Sequence, residues 1–173
     1  DPGLITVKGL HCIRNADVLV YDRLVCRELL AEVPAGCERI NVGKTPNNHP
    51  IPQEEINQIL VTHAQRGRNV VRLKGGDPYV FGRGGEEVET LARAGVEFEV
   101  IPGISSSIGG LAYAGIPVTH RDHASSFHVV TGHLQQGKEP QDWEHLARLQ
   151  GTLVILMGMS QLEHICGELM RHG

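Results

Sequence analysis

Residues 69–87 read NVVRLKGGDPYVFGRGGEE. The first five are a short, β-branched apolar run. Gly75 and Gly76 break it at once, and EEVETLARA (86–94) restores a helical pattern that Gly95 ends. A strand, a glycine-rich turn and a helix, in that order, make one half of a strand–helix–strand repeat. The same order recurs on both sides. Upstream, DVLVY (17–21) and ERINV (38–42) read as strands, and residues 23–33 and 53–66 read as helices. Pro34 and Gly36 stop the first helix, and Pro52 opens the second. Downstream, EFEVI (97–101) reads as a further strand, after which Pro102-Gly103 turns the chain into a small-residue helix, SSSIGGLAYAG (105–115). Such alternation implies parallel strands joined by helical crossovers, hence an α/β fold.

Periodicity lapses over GIPVTHRDHASS (115–126), which reads as a linker. Beyond it FHVVT (127–131) and TLVILM (152–157) read as strands, and residues 142–149 and 160–171 as helices. Two α/β domains are expected, an N-terminal one over residues 1–118 and a second over 119–173. Two strands are few for an independent sheet, so the second domain is expected to be the front part of a longer one. The chain opens with Asp1-Pro2-Gly3 rather than Met, and the natural N-terminus is expected to lie upstream.

The formal net charge is -4, which argues against a chain-wide basic field for nucleic acid. An anionic substrate would need a local cluster of cations. The four cysteines, Cys12, Cys26, Cys37 and Cys166, form no CxxC pair and no zinc spacing. No run approaches the ~18 apolar residues of a membrane span. The expectation is a cytoplasmic protein with free thiols, no bound metal, and neither nucleic acid nor membrane as a partner.

The candidate chemistry lies in loops that follow strands, because ligands of open parallel sheets bind beyond the strands' carboxyl ends. Gly75 and Gly76 offer bare backbone there, and Asp77 an acceptor. A local turn capped by Asp77 is the alternative reading of the same residues. The glycines at 82, 84 and 85 do not fit GxGxxG, no GK[ST] closes a Walker loop, and no GxSxG elbow is present. Asp22 follows a strand and is read either as an acid–base group or as the N-cap of a helix starting at Arg23. Lys44, after a strand and a glycine, is read as an anion-binding or proton-transferring group or as a solvated lysine. Ser105 and Ser106 expose hydroxyls and amides at a helix start. In THRDH (119–123) Arg121 offers a planar fork for carboxylates, and the flanking His120 and His123 lack the spacing of a metal site.

In sequence order VYDRLV, VGK…HPIPQEEIN, RLKGGDPYVFGRGGEE, PGISSS, GIPVTHRD and TLVILMG resemble the motifs of the tetrapyrrole methylases. Within that family they are most similar to the branch that C-methylates uroporphyrinogen III, either free-standing or as the methylase part of a sirohaem synthase. The resemblance spans essentially the whole chain. It implies two α/β domains with the active site in the cleft between them, a homodimer, and S-adenosylmethionine as cofactor, leaving as S-adenosylhomocysteine. By position, Gly75, Gly76, Asp77, Val80 (through its backbone), Ser105, Ser106 and Met157 would contact the cofactor. Asp22 would accept a proton and Lys44 donate one, while Arg23 and Arg121 are candidates for the substrate's carboxylates. The implied reaction methylates uroporphyrinogen III at C2 and C7 to give precorrin-2, on the way to sirohaem or cobalamin. A sister methylase acting on a later precorrin and a non-catalytic nucleotide-binding module are the alternatives. The family begins with a strand and a GxGPGDP loop, of which only Asp1-Pro2 is present. The resemblance therefore implies an incomplete cofactor site, so that this polypeptide alone binds cofactor poorly.

Overall fold

The computed structural model describes residues 1–43, 51–133 and 141–173. They form two compact units, Asp1–Ile104 and Ser105–Gly173.

The first unit is built on three parallel strands, β1 (Val18–Tyr21), β2 (Glu38–Asn41) and β3 (Val70–Leu73), in the order β2-β1-β3. Its helices are α1 (Val7–Arg14), α2 (Arg27–Leu30), α3 (Gln53–Gln65) and α4 (Gly84–Arg93). The central strand explains the layering. Val18 and Val20, both 0% exposed, point into a cluster with Val42 and with Ile56 and Leu60 of α3. Leu19, also 0% exposed, points the other way, against Ile13 of α1 and Val33. A strand covered on both faces reads as an unbroken apolar run, and each such side chain contributes about 1.5–3 kcal/mol by leaving water.

The second unit pairs β4 (Phe127–Thr131) with β5 (Thr152–Leu156), again parallel, from Phe127 opposite Thr152 to Thr131 opposite Leu156. Around them lie α5 (Ser106–Tyr113), α6 (Trp143–Ala147) and, after a 3-10 turn, α7 (Leu162–His172). Trp143, Val154 and Ile165 are its buried apolar side chains among the described residues. The strand ends meet backbone to backbone: a Cβ on Gly132 would stand 2.5 Å from the Cα of Gly158. The unit starts at Ser105, N-terminal to the stretch read as a linker, and α5 packs on β5 within it.

Three elements differ from the sequence reading. Helix α1 went unread: it contains Gly9, buries only Ile13 and leaves Val7 89% exposed, so its pattern is faint. Its start is fixed by Thr6, whose Oγ1 accepts the Gly9 N–H at 3.0 Å. The helix expected over 23–33 shrinks to Arg27–Leu30. Asp22 turns the chain first, its Oδ1 accepting from Leu24 N (3.1 Å) and its carbonyl from Val25 N (3.4 Å). Asp22 therefore does not cap a helix at Arg23. Finally, EFEVI (97–101) joins no ladder. A hollow of about 360 Å³, walled by residues 68–72 on one side and 96–101 on the other, separates it from β3. A strand needs a neighbour within hydrogen-bonding distance, and this segment has none among the described residues. Among the described residues the outer edge of β3 is unpaired for the same reason.

Candidate functional site

In the first unit the connections leaving β1 and β3 depart on opposite faces. Helix α2 follows β1 on the Leu19 face, where Leu29 and Leu30 pack. Helix α4 follows β3 on the Val18–Val20 face, where Leu91 packs. Two adjacent parallel strands whose continuations diverge leave a crevice beyond their carboxyl ends, the usual ligand position in open α/β sheets. Asp22 stands at the end of β1 and Lys74-Gly75-Gly76-Asp77 at the end of β3.

A buried charge network ties the two strand ends together. Glu87, 4% exposed in the first turn of α4, is its hub. Its Oε1 accepts from Gln53 Nε2 (3.2 Å), Arg72 Nε (3.1 Å) and Lys74 Nζ (2.9 Å). The guanidinium of Arg72 then reaches across the crevice. Its Nη1 donates to the carbonyls of Leu73 (3.1 Å) and Val20 (3.4 Å), and its Nη2 to Asp22 Oδ2 (3.5 Å). Gln53 continues to Asn57 Oδ1 (3.0 Å), and Asn57 to Thr90 Oγ1 (3.1 Å). Burial lowers the pKa of Lys74 below its ordinary 10.5, and the like charge of Arg72 adds to the effect; the Glu87 hydrogen bond and charge oppose it.

The glycine loop is held by its own aspartate. Asp77 Oδ1 accepts from Tyr79 N (2.8 Å) and Oδ2 from Gly103 N (3.0 Å). Gly76 has φ +75°, and a Cβ on Gly103 would stand 2.2 Å from the Gly76 carbonyl oxygen. The glycines at 76 and 103 thus allow two loops of the protein to lie backbone on backbone, and Asp77 staples them. Val80 is partly exposed, its N–H donating to the Asp77 carbonyl at 3.3 Å. Beyond it Phe81 (φ 51°) and Arg83 (φ 57°) are left-handed without being glycine, a conformation that costs about 1–2 kcal/mol per residue. A cleft of about 250 Å³ reaches this rim, with Leu24, Lys74, Gly75, Gly76, Ile101 and Ile104 in its wall.

Of the other residues read as candidates, Arg23 is exposed beside Asp22. Lys44 lies outside the described residues. In the second unit Ser105 caps α5, its Oγ accepting from Ser107 N at 3.3 Å, and Ser106 is exposed. Met157 stands at the carboxyl end of β5 with φ +57° and 54% of its surface exposed. Arg121 is exposed in the turn closed by the His120–Ala124 bridge. His120 and His123 stack at 4.6 Å, and no group of three possible metal ligands forms among the described residues. No helix among them is long and apolar enough to cross a membrane. The sequence reading missed Arg72, Lys74 and Glu87. A signal existed: an arginine inside an apolar strand, two residues before a lysine, requires a buried anion nearby.

The sequence profile for Tetrapyrrole (Corrin/Porphyrin) Methylases matches residues 1–173. The chain belongs to that family. Siroheme synthase 2 of Cronobacter sakazakii is 55% identical over 173 residues, which are 100% of this chain and 38% of the relative. Among solved structures, uroporphyrin-III C-methyl transferase from Thermus thermophilus, complexed with S-adenyl homocysteine, has a TM-score of 0.80 and 45% identity. That likeness covers 100% of this chain and 72% of the other. The cobalamin biosynthetic enzyme cobalt precorrin-4 methyltransferase has a TM-score of 0.85 at 29% identity, over 100% and 71% of the two chains. The tetrapyrrole methylase chain described here thus spans about two-fifths of its siroheme synthase relative.

Proposed function

We propose that this chain is the methylase part of an enzyme that C-methylates uroporphyrinogen III at C2 and C7, giving precorrin-2 for sirohaem or cobalamin synthesis. The observation that carries the reading is the crevice between β1 and β3. A carboxylate, Asp22, stands at one strand end on Arg72, and at the other strand end glycine backbone lines the cleft. The 45% identical methyltransferase complexed with S-adenyl homocysteine supports the choice of cofactor.

The rim fits an adenosyl group. Leu24, Ile101 and Ile104 give apolar walls, and Gly75 and Gly76 give main chain without side chains in the way. In this reading Gly75, Gly76 and Val80 hold the cofactor through backbone. Asp77 fixes their loop and is also proposed to contact the cofactor, as are Ser105, Ser106 and Met157. Bound S-adenosylmethionine supplies a methyl group already activated by its sulfonium. The chain's own residues orient the pyrrole carbon for in-line approach. Asp22 steadies the positive charge that then develops on the macrocycle and accepts the ring proton lost afterwards. Lys44 is the proposed proton donor. Arg23 and Arg121 take substrate carboxylates, giving local positive charge to a chain of net charge -4. The proposed assembly is a homodimer in the cytoplasm.

The likeness to a precorrin-4 methyltransferase favours a second reading, a sister methylase acting on a later precorrin. Transfer of labelled methyl from S-adenosylmethionine to uroporphyrinogen III, run beside later precorrins with the full-length protein, separates the two. Label in uroporphyrinogen III is the expected result. Label only in a later precorrin selects the sister methylase, and label in neither defeats both.

A further inference from the structure

We propose that Arg72 is a positioning residue for Asp22, holding its carboxylate in place across the crevice from a base anchored on Glu87. The inference deepens the functional reading above and rests on its assignment of Asp22. Arg72 is 14% exposed at its side chain, and its guanidinium meets acceptors on every side. Nε is fixed by Glu87 on α4, Nη1 by the Leu73 and Val20 carbonyls, and Nη2 is left with Asp22. Those acceptors belong to β1, β3 and α4, so the guanidinium plane is set by the fold and not by a ligand. Its distance to Asp22, 3.5 Å, is the longest of these contacts. Asp22 is the partner least tightly held, as suits a carboxylate that must also face substrate.

Charge counting points the same way. Glu87 is shared by two cations, Arg72 and Lys74, so one positive charge at this buried place lacks a partner until Asp22 is included. Buried charges are tolerated when paired, and the group closes as two cations with two carboxylates. Burial, and after it the like charge of Arg72, lowers the pKa of Lys74, as a crowded buried cation requires. A lysine at position 72 would keep the charge but lose the planar fork that serves strand carbonyls and two carboxylates together. Glu87 reaches Asp22 through Arg72, whereas Lys74 also feels the Asp22 charge directly.

The test is a double-mutant cycle in the full-length enzyme, with methyl transfer to uroporphyrinogen III as readout. S-adenosylhomocysteine binding is measured in parallel by calorimetry. Arg72→Gln is expected to lower kcat by roughly tenfold or more while the dissociation constant stays within about twofold. Arg72→Lys is expected to recover part of the lost rate. The deciding result is the pair: Asp22→Asn with Arg72→Gln should be no slower than Asp22→Asn alone, because the two changes remove one function. Losses that multiply would overturn the proposal, as would an Arg72→Gln enzyme with wild-type kcat beside a slow Asp22→Asn. A purely structural arginine would weaken cofactor binding and rate together and would give multiplying losses. If Asp22→Asn keeps full kcat, the catalytic reading of Asp22 fails and this inference falls with it. Should Arg72→Gln misfold, as circular dichroism would show, Arg72→Lys alone and paired with Asp22→Asn carries the same cycle.

Discussion

The two units share glycine contacts at their strand ends, but the first adds a network of charges. In the first, side chains far apart in sequence meet as buried charges: Arg72 joins Asp22 and Glu87, and Glu87 joins Gln53. In the second, strand ends meet as bare main chain, Gly132 against Gly158. Among the described residues the ion pairs of the second unit are local, such as Arg148 with Glu144 and Arg171 with Glu168. Exposed pairs of that kind contribute about 0–1 kcal/mol. One rim combines a charge network with the Gly76–Gly103 contact, and the other rests, among the described residues, on shape. A charged hub can orient a reacting group, whereas a glycine contact only lets two segments approach.

Substitutions that strike each device should break the contrast or sharpen it. Glu87→Ala leaves Arg72 and Lys74 as buried cations without their shared anion, and should destabilise the first unit by about 3–5 kcal/mol. Faster hydrogen exchange at the Val18–Tyr21 amides would show it; unchanged protection would mean that water already screens the network. Gly132→Ala comes next. Its Cβ would need the space of the Gly158 Cα, so overpacking should cost about 1–3 kcal/mol. Trp143 is the one tryptophan and is buried in the second unit, so its fluorescence in urea reports this loss directly. An unshifted midpoint would mean the glycine contact is dispensable.

The smallest effect concerns pH. Lys74 has a folded pKa below its ordinary 10.5. Between the two values the unfolded chain binds more protons than the folded one, so stability rises with pH through that window. Lys74→Met should abolish this contribution, and the wild-type protein should gain on the variant as pH approaches 10.5. Urea midpoints of both proteins over that range would run in parallel if Lys74 were not desolvated.

Much of this architecture was legible in order and period. DVLVY is the apolar run that burial on both faces demands, NVVRL and FHVVT are β-branched but only half-buried, and each formed within a residue of its expected bounds. What escaped reading depended on partners. EFEVI has the composition of a strand, but pairing requires a neighbour that no local pattern announces. The helix after Asp22 was overextended because a side-chain bond to Leu24 N outweighed helical propensity. Asp77 shows the limit for the site: its sequence allowed a ligand acceptor or a local cap, and its oxygens accept from Tyr79 nearby and from the distant Gly103, leaving further lone pairs for a ligand. Arg72 and Glu87 were readable as charges but not as a pair, since fifteen positions of chain separate them.

The open side of β3 carries a practical lesson. A ladder with one flank unanswered behaves as an adhesive, recruiting main chain from whatever polypeptide is nearest. Fragments of this sheet that lack residues 96–101, the far wall of the adjoining hollow, would clump through that flank, and anyone borrowing it as a scaffold should first blunt the edge with a proline or a lysine.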